Sequence, residues 1–282
     1  MRFLSILLSF PLFLSFALFP GCQKREEKSF NAYLPPSFEN YFADYVPKEE
    51  VELSPFWQVD DVDISYIDPN KKLIAFTFDD APNKTMKDLL SVFQNYNQAY
   101  PDTRATATFF INGKLINHLS MDSLYTAHLL GFELGNHTQN HLSLPNLSKE
   151  KLLAEINNTD AILQKIDGKE RHLLRAPFGH VNELVKAVAE VPLIDWTIDT
   201  LDWTGISADA IYQTVWKEKF DGGIVLMHDG YPHTMSALTK LLVDLRAENY
   251  QIVSVSALAK AHRCLLKNGQ VYIRARKQQD FH

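Results

Sequence analysis

A chain of 282 residues, 46% of them hydrophobic, can bury a sizeable core as one large domain or two small ones. A formal net charge of -6, with Arg274-Ala275-Arg276-Lys277 as its one short basic run, excludes a nucleic-acid binder, which needs a clustered basic surface to neutralise phosphates. With only two cysteines, Cys22 and Cys264, a disulfide framework is excluded as well.

In chain order, residues 3–20 carry no charge and follow Arg2, the pattern of a secretory signal peptide. A transmembrane anchor is the competing reading, because about 18 apolar residues suffice for a span. Phe19-Pro20-Gly21-Cys22 resembles a bacterial lipobox, with a small residue before the cysteine, although Phe19 and Pro20 depart from its usual residues. The expectation is an export signal over residues 1–21, cut before a lipid-modified Cys22 that anchors the protein to a membrane of the cell envelope. An uncleaved anchor and an ordinary secreted protein are the alternatives. Cys264 then has no partner and reads as a buried, inert thiol.

Residues 22–70 form a linker and an extension, beginning with the charged spacer 24–28. Phe30, Tyr33, Phe38, Tyr41, Phe42, Tyr45, Phe56 and Trp57 make it too apolar for a flexible linker, so it is expected to cover part of the main domain. Residues 62–67, followed by Asp68-Pro69-Asn70, predict a strand and a turn.

From Leu73 onward, short apolar blocks alternate with amphipathic stretches, which predicts βα units and a mainly parallel sheet. The expected strands are 73–78, 105–111, 132–135, 172–175, 193–198, 223–227 and 251–255. Helical faces are marked by Met86, Leu89, Leu90 and Phe93, by Leu152, Ile156, Leu163 and Ile166, and by Leu238, Leu241, Leu242 and Leu245. Ser148 is placed to cap the second of these helices and Gly168 to end it. Seven alternations over about 190 residues fit a barrel better than an open sheet. The main domain is set at 71–263, and Asn268-Gly269 predicts a small hairpin within a terminal segment 264–282.

Polar clusters stand at five of the strand ends. Asp79-Asp80 follows the first apolar run, and strand carboxyl ends are where ligands bind in parallel α/β folds. Adjacent residues of a strand face opposite ways, so both carboxylates reach one cavity only if the chain leaves strand geometry there. His137 and His141, four apart in Gly135-Asn136-His137-Thr138-Gln139-Asn140-His141, would share one side of a helical turn and could bind a metal together with a neighbouring aspartate. Arg175-Ala176-Pro177-Phe178-Gly179 offers an arginine for bidentate contact with a carboxylate. Asp199-Thr200-Leu201-Asp202-Trp203 and Leu226-Met227-His228-Asp229 complete the set. Each alone reads equally as a turn, a cap or a surface loop, but five together are much harder to assign to chance.

These five segments, with Thr77-Phe78 before the aspartates, resemble in order the motifs of the polysaccharide deacetylases, the NodB-homology carbohydrate esterases of family 4. The resemblance runs from about Leu73 to Leu258. It implies an α/β fold, a distorted barrel of seven or eight β/α units, with one divalent metal ion, zinc foremost and cobalt, nickel or manganese as alternatives. By matched position it implies Asp80, His137 and His141 as metal ligands, Asp79 as general base, and His228 as general acid. Arg175 would orient Asp79 and Asp202 would tune His228, while Phe178, Trp203 and Leu226 would contact substrate, the Phe178 region also giving a backbone N–H to the oxyanion. The expected activity is removal of N-acetyl groups from a GlcNAc-containing polysaccharide, peptidoglycan or chitin-like. The alternatives are an O-acetyl esterase on a glycan such as xylan and a non-catalytic carbohydrate-binding lipoprotein on the same fold. Ala81 stands where the family usually has glycine, which raises the question of a backbone that only glycine adopts easily.

Overall fold

The computed structural model describes residues 54–276. The expected signal segment, Cys22 and the aromatic residues from Phe30 to Tyr45 lie outside them. The centre of the sheet is β1 (Lys72–Ala81), whose side chains from Leu73 to Asp79 are buried on both faces, between one hydrophobic cluster and another. One edge of β1 pairs in parallel with β6 (Gly223–His228). The other edge is shared by β7 (Tyr250–Val253), which takes its first half, and β2 (Thr108–Ile111), which takes its second. Beyond these lie β3 (Glu133–Asn136) beside β2 and β5 (Ile198–Asp199) beside β6, giving the order β3-β2-β1-β6-β5.

The two faces of β1 separate two kinds of interior. Ile74, Phe76 and Phe78 point to the outer layer, against Met86, Leu89, Leu90 and Phe93 of α1 (Met86–Ala99) and Leu238, Leu241, Leu242 and Leu245 of α6 (Pro232–Ala247). Each such side chain, once buried, contributes roughly 1.5–3 kcal/mol. Leu73 and Ala75 point inward, among Phe110, Leu173, Ile194, Ile224 and Val253. Further along this inward row come Thr77 and Asp79, also buried, so the interior turns from apolar to polar toward the carboxyl ends of the strands.

Two of the expected strands are much reduced. Residues 172–175 form only single parallel bridges, Leu174 with Asn136 and with Leu193. Residues 193–198 divide into β4 (Leu193–Ile194) and β5, because Arg175 takes the Ile194 and Asp195 carbonyls that a ladder would have used. The regular ladders therefore do not close into a barrel, and the single bridges at Leu174 carry the order from β3 to β4. The last expected strand ends at Val253, where Ser254 accepts the Ala257 N–H and caps α7 (Val255–Ala261).

Residues 62–67 are turns rather than a strand. The Asp63 carboxylate accepts the Ser65 N–H at 2.8 Å, a local bond that competes with extended pairing, while Val62, Ile64, Tyr66 and Ile67 cover the inner cluster. No hairpin forms around Asn268-Gly269. The turn is present, but its two limbs find different partners: Lys267 bridges Phe56, and β8 (Val271–Tyr272) pairs in parallel with β4. The 19-residue α3 (Lys149–Asp167) is bounded as expected, Ser148 accepting the Lys151 N–H and Gly168 adopting φ 78°. No described helix is long and apolar enough to cross a membrane.

Candidate metal centre and acid-base groups

The Asp79-Asp80 pair lies within β1 rather than beyond its exit. The pairing with β2 shifts register between Phe78 and Ala81, and Asp80 takes φ 58°, the left-handed region. This bulge turns the Asp80 side chain toward the interior that Asp79 already faces by alternation. Ala81 is fully buried with ordinary negative φ, so alanine meets no backbone penalty where the family usually has glycine.

His137 and His141 do not share a helical turn. They sit in a loop after β3 in which Thr138 (φ 68°) and His141 (φ 57°) are both left-handed, and their rings meet edge to face at 4.9 Å. His137 Nδ1 lies 2.8 Å from the Arg175 carbonyl. A proton on Nδ1 makes that bond and leaves the lone pair on Nε2, the atom that faces the aspartates. Asp80 Oδ1 is 3.5 Å from His141 Nε2 and 4.0 Å from His137 Nε2. One ligand atom from each of the three residues falls within 4.8 Å of the others. One carboxylate and two imidazoles at this spacing fit a divalent first-row ion with a position left open. Burial and the neighbouring His137 both hold the His141 pKa below its ordinary value, favouring the neutral, ligating form.

Arg175 is buried and fully engaged. Nη1 donates to Asp79 Oδ1 at 2.8 Å and to Thr77 Oγ1 at 2.7 Å, Nε donates to the Ile194 carbonyl, and Nη2 to the Asp195 carbonyl. The contact with Asp79 is thus a single bond and not the bidentate one expected, since the backbone occupies the rest of the fork. Burial opposes ionisation of Asp79, but the charges of Arg175, His137 and His228 and the Arg175 hydrogen bond outweigh it and hold its carboxyl below the usual range. Its second oxygen, Oδ2, faces His137 Nε2 at 3.7 Å.

His228 ends β6 directly across from Asp79 in the β1 register. Its Nδ1 lies 2.7 Å from Asp202 Oδ1, and the fully buried Asp202 also accepts the His228 N–H and the Thr234 hydroxyl on Oδ2. Burial works against the imidazolium, but the Asp202 hydrogen bond and the charges of Asp79 and Asp202 outweigh it and raise the His228 pKa. Leu226, two residues earlier on β6, shares the face of His228 and is buried. Trp203 is 55% exposed on the turn that carries Asp202, and Phe178 is 60% exposed with its ring 4.7 Å from that of His141. Large aromatics this exposed beside a cluster of polar side chains offer a surface for a ligand.

Every residue singled out from the motifs therefore stands at the carboxyl ends of the strands. Sequence reading named Thr77 and Asp229 within the motifs without a role, and it missed Thr234: Thr77 stands behind Arg175, Thr234 behind Asp202, and Asp229 accepts the Asn83 N–H at 2.6 Å and the Thr85 hydroxyl beside the aspartate pair. It also missed Glu155, Thr159 and Asp160, polar residues in the buried stripe of α3. Polar residues inside an otherwise apolar helical face were the available signal.

The profile of the polysaccharide deacetylase family matches residues 66–192, a span that includes Asp79, Asp80, His137, His141 and Arg175. The chain is 32% identical over 198 residues to the peptidoglycan-N-acetylmuramic acid deacetylase PdaC of Bacillus subtilis, covering 70% of this chain but 41% of that protein. It is 35% identical over 203 residues to a peptidoglycan-N-acetylglucosamine deacetylase of Bacillus cereus, covering 68% of this chain and 90% of the relative. Among solved structures, the T48 deacetylase with substrate superposes with a TM-score of 0.67 at 27% identity, over 73% of this chain and 99% of that one.

Proposed function

The chain belongs to the polysaccharide deacetylase family and has its α/β fold, and from that premise we propose that it removes N-acetyl groups from a GlcNAc-containing polysaccharide, peptidoglycan or a chitin-like polymer. The observation that carries this reading is the buried Arg175–Asp79 pair set between the Asp80, His137 and His141 cluster on one side and His228 on the other. A module that only bound sugar would have no use for an ionised carboxylate and an imidazolium held apart across one cavity.

Asp80, His137 and His141 would hold a divalent ion, zinc foremost. Such an ion polarises a carbonyl and lowers the pKa of water. Asp79 then acts through Oδ2, the oxygen that Arg175 leaves free, taking a proton from the water that attacks the acetamide carbon. The backbone N–H of Phe178 is the donor assigned to the oxyanion. His228 gives a proton from Nε2 to the departing amine, its Nδ1 being engaged by Asp202, and the products are acetate and a glucosamine residue. Trp203 and Leu226 would wall the acetyl pocket, and Phe178 would contact the substrate.

The test is to incubate the purified protein, its metal content measured, with peptidoglycan and with chitooligosaccharides while acetate and free amine are both assayed. Matched acetate and amine support an N-deacetylase and identify its glycan. Acetate without amine moves the assignment to an O-acetyl esterase. Neither product from a metal-loaded protein leaves the carbohydrate-binding reading. Export and an acyl anchor on Cys22 complete the proposal, supported by residues 1–22 of the sequence. Detergent-phase partitioning that is lost in Cys22→Ser is the expected result.

A further inference from the structure

Both histidines of the metal cluster are carried by a loop, and a loop with two left-handed residues does not hold its own shape. Thr138 is β-branched, the residue type least suited to φ 68°, and His141 follows at φ 57°. What surrounds this loop is a row of polar groups on one helix. Along α3 the buried stripe runs Leu152, Glu155, Ile156, Thr159, Asp160, Leu163 and Ile166, apolar at its ends and polar in the middle. Each polar group in that middle section is spent on the loop. The Glu155 carboxylate accepts the Asn140 N–H on Oε2 and the Asn140 side-chain amide on Oε1, both at 2.7 Å. The Glu155 carbonyl accepts the Gln139 N–H at 2.8 Å, and the Thr159 hydroxyl donates to Gln139 Oε1.

At the other end of the loop, Asn136 gives its two side-chain protons to the Ile156 carbonyl and to Asp160 Oδ1, at 2.9 and 2.8 Å. Its own oxygen then accepts the Thr138 N–H at 2.8 Å, and the Thr138 hydroxyl accepts the His141 N–H at 3.2 Å. Asp160 is buried and is partnered by His172, whose other ring nitrogen reaches Asp167, so the two carboxylates share one imidazole. None of these α3 groups touches Asp80, His137 or His141. Their bonds fix the backbone just before His137 and between the two histidines, leaving the imidazoles free to converge on Asp80.

We propose that the polar face of α3, with Glu155 at its centre, is the positioning element of the metal site: Glu155 and Asp160 hold residues 136–141 in the left-handed geometry that directs both imidazoles at Asp80. The inference rests on the assignment of Asp80, His137 and His141 as ligands. Glu155 and Asp160 are positioning residues and make no contact with the metal or the substrate. Groups bonded directly to metal ligands typically account for about 10- to 100-fold in metal affinity, and Glu155, which acts one residue removed through Asn140, belongs at the lower end of that range.

The experiment is a zinc titration, by calorimetry, of chelator-stripped protein in four forms: parent, Glu155→Ala, Glu155→Gln and Leu163→Ala. Leu163→Ala removes an apolar residue from the same stripe and serves as the measure of mere loss of stability. Glu155→Ala is expected to raise the zinc dissociation constant about 10-fold or more. Glu155→Gln keeps the shape and one acceptor, so it is expected to recover part of that loss. Leu163→Ala is expected to lower the melting temperature while leaving the dissociation constant within about twofold of the parent, since it bonds to nothing in the loop. Should Glu155→Ala fail to fold, the isosteric Glu155→Gln carries the test alone. Zinc binding unchanged in the Glu155 variants, or weakened equally by Leu163→Ala, overturns the inference. A parent that takes up no zinc overturns the ligand assignment on which it rests.

Discussion

Arg175 gives Asp79 a single hydrogen bond, from Nη1 to Oδ1 at 2.8 Å, while its Nε and Nη2 hold the carbonyls of Ile194 and Asp195. The guanidinium therefore sets two things at once: the orientation of the Asp79 carboxylate and the break between β4 and β5. Its plane also lies 4.2 Å from the Phe110 ring, which fixes it from the apolar side.

Arg175→Lys keeps the charge but replaces a planar fork with a point donor, so it cannot reach Asp79 and both carbonyls together. We expect kcat/KM to fall by about 100-fold, the scale of a misplaced catalytic group, with far-UV circular dichroism unchanged. Activity within about threefold of the parent would show that charge alone suffices.

Variants of Asp79 and His141 separate the proposed base from the proposed ligand set. Asp79→Asn keeps the shape and is expected to retain the metal while losing about 10²- to 10⁴-fold in kcat, the range of a general base. His141→Ala is expected to lose the metal itself, read by elemental analysis after gel filtration. Full turnover in Asp79→Asn removes Asp79 from its role, and equal metal content in His141→Ala removes His141 from the ligand set.

The proposed acid, His228, is bonded through Nδ1 to Asp202. Raised above its ordinary value in the fold, the His228 imidazolium persists to higher pH than a free histidine, and activity is lost as pH rises through that value. Asp202→Asn removes the bonded carboxylate, so the basic limb of the pH–rate profile is expected to move to lower pH. An unmoved limb would show that another group sets it.

His172 makes a prediction about stability alone. Burial opposes its charge, but Asp160 at 2.9 Å and Asp167 at 3.2 Å overcome this and push its pKa up to about 9. A histidine whose folded pKa exceeds its unfolded value of about 6.5 contributes stability that is complete below that value and is lost as pH rises through the folded pKa. The full contribution is on the order of 3 kcal/mol. Urea unfolding should show the parent losing stability between about pH 7 and about pH 10, and His172→Gln should lack that component. A parent and variant differing by a constant amount across that range would exclude the linkage.

The residue types of the site were legible in the sequence because they are local: Asp79-Asp80, the two histidines, Arg175, Asp202 and His228 each follow an apolar run, and parallel strands end on one side. The caps Ser148 and Gly168 were legible for the same reason, since a cap is satisfied within one turn of its own helix.

What only the tertiary structure decided depends on partners far away in the chain. Asp80 turns inward because β1 slips register against β2, not because the strand ends. The two histidines converge through a left-handed loop held by α3, where spacing alone suggested a helical turn. The terminal turn at Asn268-Gly269 makes no hairpin because each limb meets a better partner in Phe56 or β4. Glu155 and Asp160 look, in sequence, like interruptions of an apolar face. Buried polar groups must find hydrogen bonds, and which bonds they find is settled by what the fold brings beside them. By itself the sequence determined which polar residues the chain brings to the strand ends, and the tertiary contacts decided which side chains hold them in place.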